Sequence, residues 1–358
     1  MLLRCRTPQI AHEREAESPL LYAASAALAV TGGASRGMVR AMNLSGSSQI
    51  RARNWGFGPL VAALMALACA PAQTPAKAAE SADKFVFAPQ VGLVFRHEMK
   101  HLDEFTVPGA SFRDAQEWRI LWEVRVDKER DNFLYHRRLV ELSLSVNGQA
   151  LLAGNEVTER KAEIVQVMGP YGRVLDVTGT EQLTETIASL APEAQRAAVA
   201  EQFSPTNLRE LLMARAVDVF EDVVDKPALV GASWPAREGG GLLRPKEVRV
   251  DSAVACGGTG CRKLVRSYDI DQQKMGEVAR RRVARFVAEQ HWDDKSVQVV
   301  DANVKAEDSF VVEPTTCHFH EALLTEEGRV VLQGPSGGRA EIVLTSRDSS
   351  HAEYPPPK

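Results

Sequence analysis

The stretch 117–126 constrains the fold more than any other part of the chain. Trp118, Ile120, Trp122, Val124 and Val126 alternate with Glu117, Arg119, Glu123 and Arg125. A period of two gives an extended chain one apolar and one charged face. The pattern recurs where Val140, Leu142, Leu144 and Val146 alternate with Glu141, Ser143 and Ser145, and Asn147-Gly148 follows as a tight hairpin dipeptide. Residues 162–168 and 173–177 flank Gly169-Pro170-Tyr171-Gly172, a second hairpin signal. Long alternating strands joined by hairpins predict antiparallel sheet with one buried face.

Helical periodicity comes next. Thr178 and Glu181 frame a capping box ahead of a stripe of Leu183, Ile187 and Leu190. Pro192 opens a second helix that ends near Phe203. Ser204-Pro205 reads as N-cap and first-turn proline of a third, with Leu208, Leu211, Leu212, Ala216, Val219, Phe220 and Val223 along one face. Gly231, Pro235, Gly239, Gly240 and Gly241 mark 225–245 as a junction loop. The plan then repeats. Val248, Val250, Ser252 and Val254 make a strand, 256–261 a turn and 263–270 its partner. A helix over 271–291 turns Met275, Ala279, Val283, Phe286 and Val287 inward. Strands are expected near 297–304, 310–323, 329–334 and 340–345, and the proline-rich tail 347–358 is expected to be disordered. The fold class is α+β, mainly antiparallel curved sheet packed on a few inserted helices. The blocks 85–224 and 246–346 form either one sheet or two domains.

The leader speaks to location. From Arg51 and Arg53 the chain enters an apolar run over 60–68 and then small residues, the three-part layout of a secretory signal. The run is about half the roughly 20 residues a membrane-spanning helix needs. A start at Met42 gives a signal of ordinary length, which makes 1–41 an upstream-start artefact. Val30 to Met38 is glycine-rich like the turn of short-chain dehydrogenases, but no strand–helix alternation follows it. Met65-Ala66-Leu67-Ala68-Cys69 resembles a bacterial lipobox, in which Cys69 takes a lipid. The alternative is cleavage after Ala70-Pro71-Ala72, which removes Cys69. Residues 73–84 then read as a flexible tether. Both routes place the mature protein in the periplasm or at the outer membrane.

Composition is ordinary for a globular chain, 44% hydrophobic and 25% charged. The net charge of −4 argues against a nucleic-acid partner. Of five cysteines, Cys5 and Cys69 belong to the leader. In an oxidising compartment Cys256 and Cys261 are expected to form a disulfide across the Gly-Gly-Thr-Gly loop. The rival is a zinc site built from Cys256, Cys261, Cys317 and His318 or His320.

His97-Glu98-Met99-Lys100-His101 matches His-Glu-x-x-His. On a helix this spacing puts both imidazoles on one face for zinc, with Glu98 as the base that activates the metal-bound water. Pro89 and Gly92 just upstream, and the alternation of Phe95, His97, Met99 and His101 with Arg96, Glu98 and Lys100, predict a strand instead. In 317–321 a strand would put His318 and His320 on one face, able to chelate a metal but more simply solvated, and leave Cys317 as a buried thiol. Arg280, Arg281, Arg282 and Arg285 give the last helix a basic surface, balanced by Glu277 and Glu289 or suited to anionic headgroups.

The order of elements over 84–346 resembles the lipoprotein-localisation-factor type of half-barrel. The opening Phe85-Val86-Phe87-Ala88-Pro89 is similar to that of uncharacterised bacterial lipoproteins. The resemblance implies a concave apolar face that holds a lipid or acyl chain. The expectation is a lipid-anchored, non-enzymatic binding or scaffold protein with no cofactor. The alternative is a zinc hydrolase using His97, Glu98 and His101.

Overall fold

The computed structural model describes residues 84–156, 163–237, 242–256 and 259–355. The signal segment, Cys69 and the tether to residue 83 lie outside the described residues. Within them the strands are β1 (Val94–Val107), β2 (Phe112–Glu129), β3 (Asn132–Val146), β4 (Gln149–Glu156), β5 (Glu163–Met168), β6 (Val174–Thr178), β7 (Ser233–Pro235), β8 (Leu243–Cys256), β9 (Thr259–Ile270), β10 (Gln298–Val312), β11 (Phe319–Gln333) and β12 (Arg339–Glu353). The helices are α1 (Thr180–Leu190), α2 (Arg196–Gln202), α3 (Pro205–Val223), α4 (Gln272–Arg282) and α5 (Ala284–Glu289).

All twelve strands join one sheet, in the order β6-β5-β3-β2-β1-β12-β11-β10-β9-β8-β7, with β4 paired to β3 off that path. The last strand pairs antiparallel with the first, Arg96 opposite Glu353 through Thr106 opposite Val343. The two blocks are therefore halves of one curved sheet, joined at its centre by β1 and β12. Mainly antiparallel sheet with a few helices is what the alternation predicts.

Both helix groups cover the same face. On β1 the residues Phe95, Met99, Phe105 and Val107 are buried, and pleating puts them on one side. Phe95 and Met99 pack in a cluster with Leu183, Ile187, Leu208, Leu212 and Val223 from α1 and α3. Phe105 and Val107 pack in a second cluster with Met275, Ala279, Val283, Phe286 and Val287 from α4 and α5. Trp118, Leu142 and Leu144 are each no more than 2% exposed, so the stripes of β2 and β3 form the floor of the larger cluster. Gly276 sits where helix and sheet nearly touch. A Cβ there would lie 2.5 Å from Val299 Cγ1.

Several local expectations need correction. The first helix has no capping box: its N-cap is Gly179, left-handed at φ 87°, with no side-chain cap. Thr178 is held in β6 opposite Val165, so the chain must reverse at once. A Cβ at Gly179 would meet the Glu163 carbonyl oxygen at 2.4 Å. The Ser204 cap does form, its hydroxyl accepting from Asn207 N. Pro192 precedes a short 3-10 turn rather than opening α2 directly. The helix read over 271–291 breaks at Val283. Arg282 and Val283, on either side of the break, are both buried. The three strands read over 297–334 are two, β10 and β11. Part of the junction loop 225–245 is strand, with β7 pairing to β8 through Trp234 opposite Val248.

The tail is the largest correction. Residues 347–353, read as disordered, complete β12 at the middle of the sheet. Tyr354 packs on Phe95 with ring centroids 4.7 Å apart, and its hydroxyl donates to the Phe319 carbonyl at 2.8 Å. The polar run over 346–351 hides the strand because its inward residues are serines and an aspartate, which bond to polar groups on β1.

Candidate functional site

The His-Glu-x-x-His segment lies inside β1. Four residues along a strand span about 13 Å, and Met99 lies between the two imidazoles, so His97 and His101 do not converge on one ion. Glu98 projects from the opposite face. It pairs with Lys100 Nζ at 2.9 Å and with Arg119. Burial pushes the Glu98 carboxyl up, but the Lys100 and Arg119 hydrogen bonds outweigh it and hold the group below its ordinary value. The zinc-hydrolase arrangement is therefore not formed, because the sequence pattern is read on a period of two and not 3.6.

Each histidine has its own partner. His97 Nε2 meets Ser350 Oγ at 2.5 Å, and Arg137 Nη1 meets its Nδ1 at 2.8 Å. Burial, then the Arg137 charge, lowers the His97 pKa well below its usual value. The ring is neutral and accepts from the guanidinium. His101 Nδ1 bonds Asp348 Oδ1 at 2.6 Å, and its ring stacks on Trp118 at 5.3 Å. His97 and Arg137 lie within the larger cluster, flanked by Phe95, Met99, Tyr135 and Leu139, whereas His101 and Asp348 belong to a polar seam between it and the second cluster, which holds Phe105 and Leu344. Arg282 crosses the seam from α4, with Nε 2.8 Å from Asp114 Oδ2 and Nη1 3.2 Å from Asp103 Oδ2. Arg266 on β9 joins Asp308 of β10 at 2.6 Å and Asp222 of α3 at 3.1 Å. Arg282 is thus a buried tie between helix and sheet, and not part of the basic surface expected for that helix. Arg280 pairs with Glu277 and Arg285 with Glu289.

The helix-free face carries a cleft of about 740 Å³. Its lining follows from register. Glu98 lies opposite His351, His351 opposite Glu321, Glu321 opposite Val311 and Val311 opposite Lys263. Opposed residues share a face, so these five form one row across five strands. Lys100, Ser349, Leu323 and Ser309 make the adjacent row by the same pairings. The lining also includes Val254, Cys256, His320 and Arg347. The surface is amphiphilic, with Val254, Val311 and Leu323 set among carboxylates and cations.

Cys256 and Cys261 lie at disulfide distance, 5.9 Å between Cα atoms. They sit diagonally across the hairpin, with Cys261 opposite Val254 and Cys256 opposite Thr259. Cys317 is not with them. It is 2% exposed, at positive φ in the turn between β10 and β11, and packs in the larger cluster. Burial, with the charges of Glu313 and Asp225, pushes its thiol up to about 12, which makes it an inert packing group. His318 precedes β11, pairs with Glu313 at 3.4 Å and stacks on Tyr354 at 5.0 Å. Hydrogen bonds from His318 and Thr316 hold the Glu313 carboxyl down at about 2, against a smaller opposing push from burial. His320 is the extra residue of a bulge, because Val311 pairs with Glu321 while Val312 pairs with Phe319. A bulge re-aims its side chain. The ligand atoms of His320, Cys256 and Cys261 lie within 4.8 Å of one another. The rival four-ligand set is not formed, because Cys317 lies away from the pair and only His320 approaches it, and His318 and His320 do not act as a chelating pair on a regular strand.

Sequence reasoning missed Arg137, Asp348, Ser350 and the seam carboxylates. Only inward parity on a recognised strand would have flagged them, and β12 was not recognised beyond residue 345.

No protein-family profile matches this chain, and no curated protein matches it in sequence. Among solved structures it resembles lipovitellin, described for its lipid–protein interactions, at TM-score 0.38 and 10% identity over 75% of this chain. The chain spans 26% of the lipovitellin chain's length. It also resembles a DUF1329 family protein from Desulfovibrio piger, at TM-score 0.14 and 8% identity over 72% of this chain and 85% of that one. A Rh. blastica porin mutant follows at TM-score 0.18 and 8% identity, over 73% and 100% of the two chains. At TM-scores this far below 0.5 the likeness identifies neither a fold family nor a ligand.

Proposed function

We propose that this chain is an exported, lipid-anchored envelope protein that binds an amphiphilic ligand on its helix-free sheet face and catalyses no reaction. The observation that carries the reading is the cleft, where Val311, Leu323 and Val254 lie among Glu98, Lys100, Lys263 and Arg347. Apolar side chains beside fixed charges suit a ligand with an acyl portion and a polar head. On the other face, the space between sheet and helices holds the two apolar clusters and the arginine ties. Export and anchoring rest on the signal layout and on Cys69 alone. Among the described residues no helix is long and apolar enough to cross a membrane.

The test is titration of delipidated protein with a fluorescent fatty acid. Saturable binding is expected, weakened at least about tenfold, or 1.4 kcal/mol, by Leu323→Asp and Val311→Asp with melting unchanged. Binding that is absent, or indifferent to both substitutions, would remove the cleft from the account. In envelope fractions, Cys69→Ala is expected to release the protein from the membrane.

A further inference from the structure

We propose that Cys256, Cys261 and His320, once the disulfide is reduced, form a three-ligand site for Zn2+ on the wall of the helix-free cleft.

The two thiols and the imidazole come from separate parts of the sheet. Cys256 ends β8 and Cys261 is the third residue of β9, while His320 is on β11, beyond β10. Nothing in regular pairing brings a β11 side chain over β10 to the β8–β9 hairpin. The bulge at Val311 and Val312 does so, by leaving His320 unpaired in register. Its Nε2 is buried and has no hydrogen-bond partner, although buried imidazole nitrogens are normally satisfied. The three ligand atoms lie within 4.8 Å of one another. Zinc bound to thiolates at about 2.3 Å with tetrahedral angles needs its sulfurs roughly 3.8 Å apart. Cα atoms 5.9 Å apart permit that separation by rotation about the Cα–Cβ bonds, with no backbone movement. Cys256 and His320 both line the cleft, which provides an entry path and leaves the fourth coordination position for water or a ligand donor. Two thiolates and an imidazole are a donor set that favours Zn2+ over Mg2+ or Ca2+.

The site is redox-gated. An external dithiol supplies two electrons and two protons to the Cys256–Cys261 bond, leaving two thiols and itself becoming a disulfide. Zinc then displaces both thiol protons. Oxidation of the pair by a disulfide donor reverses the sequence and expels the ion.

The experiment is zinc titration of the full chain against a chelating dye, with the protein either oxidised or reduced by a phosphine that is then removed. The reduced protein is expected to bind one zinc per chain and the oxidised protein none at the same dye concentration. This contrast uses one sequence, so no folding defect confounds it. Loss even of an outer-shell partner costs roughly 10–100-fold in metal affinity, so His320→Ala is expected to weaken binding at least that much. Cys256→Ser/Cys261→Ser should abolish it. With Co2+ as probe, thiolate-to-metal charge-transfer absorption should appear in the reduced wild type and vanish in the double variant. Equal zinc binding by oxidised and reduced protein, no binding by either, or binding unaffected by His320→Ala would overturn the site. The fatty-acid titration is read on oxidised protein, so failure of either proposal leaves the other standing.

Discussion

Two regions of the inward sheet face bury arginine, and they solve the problem differently. In the seam beside α4 and α3, Arg282 answers Asp103 and Asp114, and Arg266 answers Asp308 and Asp222. Arg137 lies on β3, next to the β2 strand that carries Asp114. Its partners among the described residues are neutral, the Gln166 amide oxygen at 3.0 Å and the His97 ring at 2.8 Å. Burial accordingly pulls the Arg137 pKa down to about 10. Where carboxylates converge, the arginine is a structural tie. Where they do not, it is a cation held by dipoles, and its removal leaves no orphaned charge.

That difference sets the order of effects. Arg282→Met strands two buried carboxylates and is expected to cost about 3–5 kcal/mol in denaturant unfolding. Asp103→Asn keeps the shape and leaves Asp114 on the guanidinium, so about 1–2 kcal/mol is expected from the same measurement. Arg137→Met replaces a charge that has no opposite partner, and a change within about 1 kcal/mol is expected. Equal costs for Arg282→Met and Arg137→Met would break the comparison. The smallest effect is a slope. Below the ordinary value of 6.5 the unfolded chain takes up a proton that buried His97 refuses. His97 therefore costs stability progressively as pH falls through that value. His97→Gln should flatten the loss of stability between about pH 7 and about pH 5. An unchanged slope would mean that the folded ring takes up its proton as readily as the unfolded one, which is incompatible with Nδ1 accepting from the Arg137 guanidinium.

The same comparison explains what was legible in the chain. Trp118 to Val126 and Val140 to Val146 declare β2 and β3 because their inward residues are apolar. The turn at Asn147-Gly148 forms as read, both residues at positive φ. The inward residues of β12 near its end are Ser346, Asp348, Ser350 and Ala352, which have no hydrophobic period, so the strand was invisible beyond Thr345. Arg282 read as surface because three other arginines surround it. Its carboxylates lie on β1 and β2, 168 residues away in the case of Asp114. His97 and His101 read as a metal motif only if the helical period is assumed.

By itself the sequence determined the period of each long strand, the antiparallel class, the helical insertions and the proximity of Cys256 to Cys261, because these depend on residues within a few positions of one another. Only the tertiary structure decided that the two blocks form one sheet through β1 and β12, that the buried arginines of the seam face carboxylates, and that a bulge at Val311 delivers His320 to the cysteine pair. Those facts depend on register between strands far apart in the chain, and register is fixed by which faces are buried together, a property no local window of residues contains.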